Sequence, residues 1–114
     1  MEGTDSIYLE KAELLKALSH PVRLRIVRGL LHCGCRNVGC MEANTGQSQS
    51  CISQHLMRLK AAGVVKCARS GNEVYYEVAD PAAAAVVAAL FGDRAGEYSF
   101  SAWPGESGGG QDAL

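Results

Sequence analysis

The chain has 114 residues, 47% of them apolar, with a formal net charge of −1. That length suits one domain with a modest core, for which pairing two copies would help. The near-neutral total conceals an asymmetry: residues 14–71 carry nine Lys/Arg against one acid, Glu42, while the remainder carries Lys11 and Arg94 against eleven acids.

No basic start followed by an apolar run opens the chain, because Asp5, Glu10 and Glu13 interrupt it. The apolar stretch 82–91 is only about half of what a bilayer needs. A cytosolic protein with no membrane contact is expected. Five cysteines, Cys33, Cys35, Cys40, Cys51 and Cys67, suit that compartment as thiols rather than disulfides.

Ile7, Leu14, Leu15 and Leu18 recur at roughly helical spacing among charged residues, which predicts an amphipathic helix over 7–18. Ser19-His20-Pro21 interrupts it, and Pro21 suits the first turn of a new helix. His20 is placed to cap that helix. Its stripe of Val22, Ile26, Val27, Leu30 and Leu31 carries it to about residue 32. Asn37 can cap a short third helix over 38–44, and Thr45-Gly46-Gln47 is a turn. Ser48 then caps a fourth helix that ends near residue 62, with Gly63 as a left-handed stop. Within it Ile52, Leu56 and Leu59 share one face.

Residues 64–69 and 73–78 alternate as strands around the turn Ser70-Gly71-Asn72. Asp80 and Pro81 open a last helix that runs to residue 91. The expected fold is α+β, mostly α: a winged helix-turn-helix with a two-stranded β-hairpin wing and terminal dimerisation helices. It should occupy residues 1–98, leaving 99–114 as a flexible tail.

A short helix, a tight turn and a polar-faced helix form a unit that can enter a major groove, with the second helix at the base edges. Candidate contacts there are Ser48, Gln49, Ser50, Ser53, Gln54 and Arg58. His55 either joins them or packs beneath the helix. Lys60, Lys66 and Arg69 can neutralise phosphates, and Asn72 sits at the tip of the wing. The basic centre offers no acid–base pair, nucleophile–base pair or phosphate-cradling loop, so an enzyme is not expected.

Leu18-Ser-His-Pro-Val-Arg-Leu-Arg-Ile-Val27, Ser48-Gln-Ser-Cys-Ile-Ser-Gln-His-Leu56, Leu59-Lys-Ala-Ala-Gly-Val-Val65 and Gly71-Asn-Glu-Val-Tyr-Tyr76 together resemble the ArsR/SmtB family of bacterial winged-helix repressors. The resemblance covers roughly residues 15–91. It implies a homodimer, held by the first and last helices, that sits on double-stranded operator DNA and leaves when an inducer binds. Many such repressors sense thiophilic metals or arsenite through a Cys-x-Cys in the third helix. Others bind zinc or nickel on the last helix.

This chain departs from both patterns. Asn37 and Gly39 stand where the third-helix cysteines would align, and the last helix has no His, Cys, Asp or Glu. Cys33, Cys35 and Cys40 remain, three soft donors around one turn, able to converge on a trigonal ion such as arsenite. His32 is a fourth ligand or simply a polar helix end. No cofactor is required. A thiol-oxidation or reactive-sulfur switch on the same cysteines, and a constitutive DNA-binding regulator without inducer, stay open as alternatives.

Overall fold

The computed structural model describes residues 3–33 and 36–93, with side chains over 5–32 and 37–93. Five helices and three strands follow in the order α1 (Gly3–Leu18), α2 (Pro21–Cys33), β1 (Arg36–Asn37), α3 (Val38–Thr45), α4 (Gln49–Ala61), β2 (Val65–Ser70), β3 (Glu73–Val78) and α5 (Pro81–Phe91). The expected tail, 99–114, lies outside the described residues.

Local chemistry accounts for the boundaries. The Val22 N–H donates to His20 Nδ1 at 3.0 Å, so His20 caps α2 as its position suggested. Asn37 and Ser48 cap α3 and α4, and Asp80 accepts from the Ala82 N–H with Pro81 in the first turn of α5. Gly63 follows α4 with φ 78°, in the left-handed region where a Cβ would be strained.

One core joins all five helices. Leu14 and Leu18 of α1, Val27, Leu30 and Leu31 of α2, and Met41 of α3 pack with Ile52, Leu56 and Leu59 of α4 and Val87 of α5. Val64 and Val65 anchor the base of the hairpin in the same core. Burying these side chains contributes roughly 1.5–3 kcal/mol each. Leu14 and Leu18 of α1 and Val87 of α5 lie on the helices expected to pair two copies, but they are buried within this chain. What remains exposed on the terminal helices is Ile7, Tyr8, Leu9 and Leu15 on α1, with Leu90 and Phe91 on α5.

The hairpin is antiparallel, with Val65 opposite Val78 and Ser70 opposite Glu73. Sequence reading foresaw those two strands but not the third. β1 lies on the far side of β3, giving the order β1-β3-β2, with Arg36 opposite Tyr76 and Asn37 opposite Tyr75. The segment between Cys35 and Cys40 is therefore laced to the wing by backbone hydrogen bonds. No helix among the described residues is long and apolar enough to cross a membrane.

Candidate nucleic-acid interface

The two central helices are set by a tightly bonded turn. Asn37 Oδ1 accepts from the Cys40 N–H at 2.9 Å, while its Nδ2 donates to Glu73 Oε1 at 3.3 Å, tying the start of α3 to β3. At the other end of α3, Thr45 Oγ1 donates to the Met41 carbonyl at 2.8 Å and accepts from the Gln47 N–H at 3.1 Å. Gly46 adopts φ 75°, and its N–H donates to the Glu42 carbonyl. Ser48 Oγ accepts from the Cys51 N–H at 3.2 Å and starts α4.

With Ile52, Leu56 and Leu59 buried beneath it, α4 turns Gln49, Ser50, Ser53 and Gln54 outward, all exposed. These four and the cap Ser48 are the polar face that sequence spacing predicted. The remaining candidates on α4 are distributed differently. His55 faces inward to the junction of α1 and α2: its ring lies 4.4 Å from that of His20, and Arg23 Nη1 sits 3.3 Å from its Nδ1. Burial first, then the neighbouring His20, Arg23 and Arg58, holds the His55 imidazole below its ordinary pKa. His55 is thus half-buried, in contact with His20 and Arg23 on the inner side of the helix.

Arg58 leans to one flank, lining a groove of about 260 Å³ with Glu13, Lys16 and Ala17 of α1, Arg23 of α2, and Ala61 and Ala62. Lys60 leans to the other flank, where its Nζ is 3.3 Å from Cys67 Sγ on β2. The polar face of α4 is thus bordered by a cation on each side. This arrangement suits a groove whose two walls are phosphate chains.

On the wing, Lys66 and Arg69 are exposed, and Ser70, Gly71 and Asn72 form an exposed tip, with Gly71 at φ 66°. Lys66 lies opposite Glu77 in the hairpin register, a position from which a cross-strand carboxylate can offset its charge, whereas Arg69 lies opposite Val74. The two basic residues are consequently unequal, which charge counting along the sequence did not reveal.

Of the three cysteines proposed from sequence as ligands, Cys40 is exposed in the first turn of α3. Cys33 ends α2 with its side chain outside the described set, and Cys35 lies outside the described residues. Among the described residues no three His, Cys, Asp or Glu side chains gather as a metal-ion site. Cys51 donates to Gln47 Oε1 at 3.3 Å inside the helix-turn-helix.

A short helix, a bonded turn, an exposed polar helix and a hairpin define a winged helix-turn-helix DNA-binding protein. Comparison with known proteins agrees. The profile of the bacterial regulatory protein arsR family matches residues 20–66. A biofilm growth-associated repressor of Xylella fastidiosa is 40% identical over 82 residues, spanning 72% of this chain and 71% of that protein. The crystal structure of the transcriptional repressor PagR of Bacillus anthracis superposes with a TM-score of 0.70 at 34% identity, covering 75% of this chain and 97% of that one. A homodimeric winged helix-turn-helix DNA-binding domain of Mycobacterium bovis, Mb0332, gives a TM-score of 0.69 at 30% identity, covering 80% and 87%. The chain belongs to the ArsR family of bacterial regulatory proteins, and its function is transcriptional repression.

Proposed function

We propose that this repressor binds a pseudo-palindromic operator as a homodimer through α4 and the wing, and that a cysteine-directed inducer releases it. The observation that carries the DNA reading is the exposed Ser/Gln face of α4 between Arg58 on one flank and Lys60 on the other. Dimerisation is supported by Ile7, Leu9 and Leu15 of α1 and Leu90 of α5, apolar side chains left exposed on two helices that touch each other. The homodimeric state of the Mycobacterium bovis relative supports it further. Sedimentation at micromolar concentration should show two chains; a monomer that still binds DNA tightly would contradict it.

The inducer site is formed by Cys33, Cys35 and Cys40, in the stretch that runs from the end of α2 to the first turn of α3. Thiolates are soft donors, and three of them fit a trigonal thiophilic ion such as arsenite. β1 supports a route from those cysteines to DNA, since Arg36 and Asn37 pair with β3 and Asn37 also caps α3. Drawing the cysteines together would bias the wing and the helix-turn-helix at once. By linkage, an inducer that prefers the DNA-free form weakens DNA binding by the same factor. Replacing Cys33 and Cys35 by Ser should preserve operator affinity under reducing conditions and abolish release by arsenite. Full release from that variant would place the sensor elsewhere. Release that depends on withholding reductant would favour a thiol-oxidation switch.

A further inference from the structure

Resting on the assignment of α4 as the recognition helix, we infer that Met57 reads a thymine 5-methyl group in the major groove. Met57 lies seven residues after Ser50, four after Ser53 and three after Gln54, so helical spacing sets all four on one line of the outer face. Its side chain is 67% exposed. The other large apolar residues exposed among the described set are Ile7, Tyr8, Leu9, Leu15, Leu90 and Phe91, all on α1 or α5. Met57 stands apart from them, the one large apolar group on a face otherwise made of Ser, Gln, Arg and Lys with the small Ala61.

Its surroundings select the partner. A protein-docking surface would present a contiguous apolar patch, whereas Met57 is surrounded by Ser53, Gln54, Arg58 and Lys60, every one exposed. The cations on the two flanks match paired phosphate chains, and between such chains the apolar feature that base edges present is the C5-methyl of thymine. An unbranched thioether is flexible and polarisable enough to pack on that methyl while Ser50 and Gln54 hydrogen-bond to polar base edges. Met57 would then set a preference for T over C at a position that the serines and glutamines leave undetermined.

The test uses the full-length chain and its own promoter fragment, with the protected site located by footprinting. Thymines in the site are replaced one symmetric pair at a time by deoxyuridine, which removes only the methyl. The parent protein should lose roughly fourfold in affinity per methyl at one pair, the worth of one buried methyl-sized group. Met57→Ala should bind the thymine and deoxyuridine duplexes equally, and Met57→Leu should keep the discrimination. Circular dichroism checks that the variants fold like the parent. No deoxyuridine cost at any pair, or the same cost in parent and Met57→Ala, overturns the role of Met57 while leaving α4 as the recognition helix. Failure of the parent to select its promoter over a scrambled duplex overturns both.

Discussion

His20 and His55 face one another with ring centroids 4.4 Å apart and planes tilted by 50°. His20 accepts the Val22 N–H at Nδ1, and His55 presents its own Nδ1 to Arg23, so each ring has its Nδ1 engaged within the protein. The junction of α1 and α2 thereby rests on the inner side of α4.

This pair gives a pH prediction. Burial, His20, Arg23 and Arg58 hold the folded-state pKa of His55 below its ordinary value. The unfolded chain therefore takes up the proton first as pH falls. The stabilisation is complete above the ordinary imidazole range, near pH 6.5, and is lost as pH drops through the lower folded value. Urea midpoints of the parent should fall between about pH 7.5 and about pH 5 more steeply than those of His55→Gln. Parallel pH profiles would show that His55 contributes nothing to this dependence.

Arg28 grips Asp93 through two hydrogen bonds of 2.9 Å, fastening α2 to the end of α5, while its guanidinium lies 4.3 Å above the Phe91 ring. The Asp93 side chain is only 7% exposed and that of Arg28 39%, which reduces the cost of breaking the pair below that of a fully buried one. Asp93→Asn should lower unfolding free energy by about 1–3 kcal/mol, read as a lower denaturant midpoint. An unchanged midpoint would mean that α5 is held by its apolar contacts alone.

Gly46 tests the turn between α3 and α4. A Cβ there meets nothing within 4 Å, so any cost of Gly46→Ala is backbone strain at φ 75° rather than a clash. The expected loss is about 1–2 kcal/mol. A neutral or stabilising substitution would show that the turn relaxes freely.

The wing prediction separates two residues that look alike in sequence. Arg69→Ala should reduce the slope of log affinity against log salt by about 0.9 per protomer. Lys66→Ala, whose charge already faces Glu77 across the hairpin, should reduce it less. The reverse order would place Lys66 closer to the phosphates.

Much of the fold was legible because its signals are local. Asn37, Ser48 and Asp80 announce helix starts by side-chain chemistry, Gly63 announces a stop, and Ile52, Leu56 and Leu59 repeat at the spacing of a buried stripe. β1 was missed because two residues carry no periodicity; Arg36 and Asn37 become a strand only when β3 is beside them. An apolar stripe also says that a face is covered, not by what. Val87 is thus covered by its own chain, while Leu90, three residues on, is exposed. Within the interface, Ser50 and Gln54 were readable as outward-facing, whereas the inward turn of His55 depends on His20, which is distant in sequence.

The most direct test is an anisotropy titration of the full chain onto its own promoter fragment and a scrambled duplex of equal length, for the parent and for Gln54→Ala. The expected result is selective binding of two chains by the parent, a loss of about 1–3 kcal/mol for Gln54→Ala on the promoter, and little change on the scrambled duplex. Equal affinity of the parent for both duplexes, or promoter binding by Gln54→Ala indistinguishable from the parent, would contradict the assignment of α4 as the element that reads the operator.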